Sequence, residues 1–205
     1  MRLAILGAGG HGRVVADAAA LSGAWSEIVF FDDNYPDYIQ SGRWQVIGSS
    51  VDLVNTLTEQ DAVIIGIGSC DIRMSMTDFL QEKGANLVTV IHPSAIISPD
   101  SSIGYGCVIL ANAVVNTGVS VDNAVIINTA ATVDHDCQLD SGVHISPGAH
   151  LAGQVVVGKN SSIGIGAVIK QQVKIGCNVT VGAGAAVVND IPDGQTVAGV
   201  PAREL

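Results

Sequence analysis

Large aliphatic side chains recur at every sixth position through the second half of the chain, from Ile91, Ile97 and Ile103 to Ile175, Val181 and Val187, seventeen positions without a slip. Four residues after each of the first sixteen stands a small or β-branched residue, as at Ala95, Ser101, Cys107, Ala113 and Val119. A step of six fits neither the 3.6-residue turn of a helix nor the two-residue alternation of a long strand. It fits a chain that turns a corner every six residues and sends one large and one small side chain into a narrow interior. The pattern predicts a parallel β-helix of hexapeptide repeats, in which three short strands and three turns make a coil of about 18 residues. Positions 91–187 then supply a little over five coils, stacked as a solenoid. Such a prism leaves no long internal loop, so a site must lie on its outside, at its ends or between copies.

Residues 1–90 follow another rhythm. An apolar run at 3–6 leads into Gly7-Ala8-Gly9-Gly10-His11-Gly12, and Val14, Val15, Ala18 and Ala19 are spaced as the buried stripe of a helix. Further strands are expected at 28–31, 62–67 and 87–90, with helices at 50–57 and 72–83. Strand alternating with helix predicts a parallel sheet, about half the size of a full dinucleotide-binding fold. The expected architecture is an α/β, Rossmann-like half domain over 1–90, followed by a β-helix with a C-terminal tail over 91–205.

Charge narrows the partners. The 205 residues include 19 Asp and Glu against 9 Lys and Arg, a formal charge of −10. Gripping a phosphate backbone takes clustered cations, so nucleic acid is excluded as the main partner. Four cysteines, Cys70, Cys107, Cys137 and Cys177, show no metal-ligand spacing, and Cys107 and Cys137 fall in the small inward column. Free thiols, no zinc and no disulfide are expected. The first apolar run stops at Gly7, and no run approaches the roughly 18 residues of a membrane span. A cytoplasmic protein with no membrane partner is the expectation.

The glycine turn, Phe31-Asp32-Asp33, Ile91-His92-Pro93-Ser94-Ala95, Asn128-Thr129, His135-Asp136, Pro147-Gly148-Ala149, Leu151-Ala152-Gly153 and Ala198-Gly199-Val200-Pro201-Ala202 carry a resemblance over nearly the whole chain. Together they resemble the hexapeptide-repeat acyltransferases, within them the two-domain acetyltransferases of sialic acid and nucleotide-linked amino sugars, and nearest the UDP-4-amino-sugar N-acetyltransferases of bacillosamine-type synthesis. The resemblance implies left-handed coils, a homotrimer, acetyl-CoA as cosubstrate and no metal. It further implies His135 as general base with Asp136 as its partner, and His144, Ile165 and Ala183 against the coenzyme. Gly9, Gly10, His11, Asp32, Asp33 and Gly68 match positions that hold the nucleotide sugar.

Elementary chemistry supports these roles. An imidazole with an ordinary pKa near 6.5 can take the proton of an attacking amine at neutral pH, with no covalent intermediate. Neighbouring residues of a strand point to opposite faces, so His135 and Asp136 can pair only if the chain turns there, and the register puts His135 in a turn, two residues past Val133. Gly153 stacks one coil beyond His135 and is expected to offer its N–H to the thioester oxyanion. His135 and His144 stand nine residues apart, half a coil, so a site using both needs two chains. Ile165 and Ala183 stack in successive coils, as two contacts along one extended pantetheine arm. A glycine turn opening a helix presents N–H groups to phosphate, and carboxylates after the second strand suit sugar or ribose hydroxyls. The same pattern also fits dinucleotide binding, although the half-size sheet has no second mononucleotide unit. The leading expectation is N-acetylation of the 4-amino group of a nucleotide-linked sugar in surface-glycan synthesis. The alternatives are O-acetylation of sialic acid or transfer to another small acceptor and, in another class, a non-catalytic scaffold or an NAD-binding sensor.

Overall fold

The computed structural model describes residues 1–58 and 61–205. Along its first part follow β1 (Arg2–Leu6), α1 (Gly10–Ser22), β2 (Glu27–Phe31), β3 (Gln40–Ser41), β4 (Trp44–Gly48), α2 (Ser50–Thr56), β5 (Asp61–Ile65) and α3 (Cys70–Glu82). The sheet order is β3-β4-β2-β1-β5, with β1 parallel to both β2 and β5. β1 and β5 are covered on both faces, which is why Leu3 to Leu6 and Ala62 to Ile65 are apolar without alternation and buried throughout. Val15, Ala16 and Ala19 of α1 pack with Leu3, Ile5 and Phe30 on one face, and Leu53 of α2 and Leu80 of α3 pack with Ala4, Leu6 and Val63 on the other.

Two differences from the sequence expectation concern edges. The β3–β4 hairpin was not expected, because its one alternating stretch, in β4, is only five residues long and β3 is polar; it joins the sheet through β4 beside β2. The strand expected at 87–90 is divided: Leu87 makes a single bridge to Val63, whereas Val90 and Ile91 pair with Val108 and Ile109 and open the first coil.

From Val90 onward two-residue strands recur every six residues, and each pairs in parallel with the strand eighteen residues later, as in Val115↔Val133 and Val133↔Leu151. The result is a left-handed β-helix with three faces. Face one runs from Ile96–Ile97 to Ala186–Val187, face two from Ser102–Ile103 to Lys174–Ile175, and face three from Val90–Ile91 to Arg203–Glu204. Both sequence columns fill the interior: Ile109, Val133 and Ile163 are wholly buried, as are Cys107, Ala131 and Cys137. The column frays at its start, where Ile91 is 39% exposed, because no preceding coil covers it. At the other end Val181 pairs with Val197, sixteen residues on, so the last coil is two residues short and the six-residue step stops at Val187 while the helix continues.

Face three carries the sheet unit. Its outward residues Val108, Leu110 and Ile126 are buried in one cluster with Val15 and Ala19 of α1. The contacts between the sheet unit and the coils lie on face three and its edge with face two, and the opposite edge of the prism, where faces one and two meet, stays free of them. Among the described residues no helix is long and apolar enough to cross a membrane.

Candidate functional site

Gly9, Gly10, His11, Asp32, Asp33 and Gly68 line one cavity of about 460 Å³, together with Ile67 and with Ile72 and Met76 of α3. The local fold explains the glycines in two ways. A Cβ on Gly12 would meet the Gly7 carbonyl, and one on Gly66 would lie 2.7 Å from the Gly12 Cα, so these two glycines let α1 start against the loop after β5. At Gly9, Gly10 and Gly68 an added Cβ would meet nothing within 4 Å. No contact within the chain calls for glycine there, and the space is open to a ligand. Gly9 caps α1 without a side-chain bond, and the first-turn N–H groups face an anion-ready helix start.

The carboxylates are fixed by backbone. Asp32 accepts from the Ala8 N–H at 2.8 Å through Oδ2, and from the Asn34 N–H at 3.0 Å and Nδ2 at 2.8 Å through Oδ1. Burial pushes its pKa up, but those bonds outweigh it and hold the carboxyl below the ordinary value. Asp33 Oδ1 accepts from the Ser50 N–H at 2.8 Å, where α2 begins, which leaves its other oxygen to accept a hydroxyl.

Beside this cavity the coil surface contributes His144. Its ring lies 6.2 Å from that of His11, and its Nε2 is 3.1 Å from Asn128 Nδ2. Burial, with the Arg73 charge adding to it, lowers both histidines to about 4, so both rings are neutral at physiological pH. The Nε2 of His11 is buried without a hydrogen-bond partner among the described residues, an atom that a ligand can satisfy.

His135 occupies the free edge between faces one and two. Asp136 takes φ +58°, which turns the chain and brings its Oδ2 to 2.9 Å from His135 Nδ1. That bond raises the imidazole pKa above its ordinary value. With Nδ1–H donating to Asp136, Nε2 keeps its lone pair for an incoming proton. A Cβ on Gly153 would strike Nε2 of this ring, which accounts for glycine at that place, and Gly153 is itself buried. The Gln154 N–H donates to the His135 carbonyl at 2.9 Å, tying the two turns together.

Ile165 and Ala183 stand on the third edge, between faces three and one. Ile165 is 62% exposed, and the Gly184 N–H donates to its carbonyl at 2.8 Å. The stacking read from the sequence holds, and both residues are exposed on the outer surface. Within one chain, then, the sites divide: the cavity, His11 and His144 on face three, the His135–Asp136 pair on the edge opposite it, and the Ile165–Ala183 turns between them on the third edge.

Residues 2–80 match the PglD N-terminal domain family. The acetyltransferase domain of PglB from Neisseria gonorrhoeae FA1090, represented by two structures, one of them in complex with acetyl coenzyme A, is 49% identical over 100% of this chain and 99% and 98% of those chains, with TM-scores of 0.97 and 0.96. The chain belongs to the bacillosamine-type sugar N-acetyltransferases. Another relative is a histidine-to-alanine mutant of GDP-perosamine N-acetyl transferase from Caulobacter crescentus, solved in complex with CoA and GDP-perosamine. It is 32% identical over 100% of this chain and 97% of that one, with a TM-score of 0.93. UDP-N-acetylbacillosamine N-acetyltransferase of Bacillus subtilis (strain 168) is 35% identical over 110 residues, 53% of this chain and 51% of that protein, so the match spans about half of that curated relative.

For a sugar N-acetyltransferase, three residues matter that sequence reasoning passed over. Asp134 accepts the His135 N–H at 2.8 Å and Asn116 Nδ2 at 2.9 Å, which fixes the backbone of the histidine turn. Asn128 holds His144. Both belong to a ladder of Asx residues, Asn116, Asp122, Asn128 and Asp134, at the same six-residue step as the aliphatic column, a signal present in the sequence. Arg73 had no such signal, since the groups its guanidinium bonds are backbone carbonyls.

Proposed function

We propose that this protein transfers the acetyl group of acetyl-CoA to the 4-amino group of a nucleotide-linked amino sugar, as a homotrimer with each site between two copies. The observation that carries the reading is that all six nucleotide-sugar candidates line a single cavity, with His11 and His144 at its border against the coils. In this reading residues 1–90 hold the nucleotide sugar: the start of α1 meets the diphosphate and Asp32 and Asp33 accept hydroxyls. Residues 91–205 carry the transfer, with Ile165 and Ala183 along the coenzyme arm and His144 near the thioester. His135 Nε2 takes a proton from the amine as its nitrogen attacks the thioester carbonyl. The Gly153 N–H steadies the developing oxyanion. Collapse of the tetrahedral adduct breaks the C–S bond, and the proton held by His135 leaves with the CoA sulfur. Asp136 keeps the imidazole in the accepting tautomer and strengthens it as a base.

Two copies are needed because His135 and the cavity lie on opposite sides of one prism. Face one connects the His135 edge to the Ile165 edge, and its outward stripe is open and apolar at both ends, with Thr132 and His150 between: Ile96 is 66% and Val168 45% exposed. Packing face one of each copy around a threefold axis would set the His135 edge of one copy beside the Ile165 edge and cavity of the next.

The test is to incubate the purified protein with acetyl-CoA and a panel of UDP-, GDP- and dTDP-linked amino sugars, following CoA release and product mass. The reading expects an increase of one acetyl group on the amine of at least one 4-amino sugar and none on a 4-hydroxy counterpart. Acetylation of hydroxyls alone, or no coenzyme turnover with any acceptor, contradicts it.

A further inference from the structure

Arg73 is a wholly buried cation with no carboxylate in reach among the described residues. It stands in the first turns of α3, and its guanidinium donates only to backbone carbonyls on two sides. On the sheet side Nη1 reaches the carbonyls of Ile67 at 3.1 Å and Gly68 at 2.8 Å, in the loop that lines the cavity. On the coil side Nε reaches Ala124 at 2.7 Å and Nη2 reaches Gly142 at 2.6 Å and Val143 at 3.4 Å, all at the edge where faces two and three meet. A buried charge is costly, and an apolar side chain of similar volume commonly serves packing as well or better. What a hydrocarbon cannot do is hold five carbonyls, from a loop and two successive coils, around one planar fork.

We propose that Arg73 is a positioning residue for the nucleotide sugar: it pins the Gly68 rim of the cavity to the Ala124 and Gly142 turns, so that bound substrate keeps a fixed place relative to the coils. The proposal rests on the reading of the cavity as the nucleotide-sugar site. It follows from where the bonds go. Arg73 bonds both the rim carbonyls of Ile67 and Gly68 and the coil carbonyls of Ala124 and Gly142, while α3 also meets the coils through Asp71 with Asn160 and Gln81 with Tyr105 and supplies Ile72 and Met76 to the cavity wall. The charge is felt there too, since Arg73 contributes to keeping His11 and His144 neutral.

The test compares wild type with Arg73→Lys and Arg73→Met in the full chain. Calorimetry with UDP, GDP and dTDP identifies the nucleotide that wild type binds, and steady-state assays give KM for the amino sugar and for acetyl-CoA. Misplacement of substrate by a fraction of an ångström is expected to raise the nucleotide Kd and the sugar KM about tenfold or more in Arg73→Met, with acetyl-CoA KM within about twofold of wild type. Arg73→Lys, which keeps the charge but not the fork, is expected to fall between. Equal nucleotide and sugar constants in wild type and Arg73→Lys overturn the proposal, as does a parallel rise in both KM values with lowered Tm, the mark of a merely structural role. If the variants do not fold, hydrogen exchange on wild type decides: nucleotide binding is expected to protect residues 66–68 together with the turns at 124 and 142, and protection confined to the cavity overturns it. Wild type that binds none of the three nucleotides contradicts the cavity reading instead.

Discussion

His135 and Asp136 concentrate the chemistry into one turn. Replacing His135 with Ala is expected to lower kcat by about 10²–10⁴-fold, the usual worth of a positioned base, while acetyl-CoA binding and oligomeric state stay as in wild type. Near-normal kcat would remove the histidine from the mechanism. Asp136→Asn addresses the neighbouring bond. Asp136 raises the His135 pKa, and the base works only when neutral, so activity climbs as pH rises through that pKa. Without the carboxylate the acid limb of kcat/KM should move to lower pH, and kcat should fall because the base is weaker. An unmoved limb would mean that His135 is not the titrating group. Much at this scale was legible: the unbroken six-residue register sets His135 two residues past Val133, in a turn, and the positive φ at Asp136 is what lets adjacent side chains meet. Arg73 was hidden because the backbone carbonyls that hold it are the same in every residue.

At the scale of elements, α1 and the coil strand at His144–Ile145 meet through two neutral histidines. Each has a folded pKa of about 4 against an ordinary 6.5, so the unfolded chain binds protons that the folded one refuses. Their contribution is fully present above about pH 6.5 and is lost as pH falls toward 4, at about 1.4 kcal/mol per pH unit for each group. Because the two rings repel once charged, they titrate as a pair. Chemical denaturation across this window should show wild type losing stability more steeply than His144→Gln, and equal slopes would exclude the pair as the cause. The coils themselves were readable from side chains because each inward position is dictated by a narrow interior. The β3–β4 hairpin was not, since its one alternating stretch, Trp44 and Val46 inward with Gln45 and Ile47 outward, is only five residues long and its partner strand is polar. The short last coil escaped for a related reason: losing two residues between Ile175 and Ile191 breaks the step without breaking the pairing.

For the whole molecule, the arrangement of edges decides what a single chain can do. Val168 stands on the open face, and Val168→Asp is expected to yield a folded monomer that binds nucleotide and lacks turnover, measured by sedimentation and CoA release. Sequence spacing already separated His135 from His144 by half a coil, but which face carries the sheet unit depends on outward residues such as Val108 and Ile126, whose burial shows only once the units are packed. The most direct measurement is complementation between copies. His135→Ala chains lack the base, and Gly10→Asp chains carry a repelling carboxylate at the start of α1, in open space where the fold is undisturbed. Each variant alone should be inactive. Co-refolded in equal amounts, they should recover on the order of a quarter of wild-type turnover, because each site then draws an intact edge and an intact cavity independently from two neighbours. A mixture as inactive as its parents would mean that one chain supplies both halves.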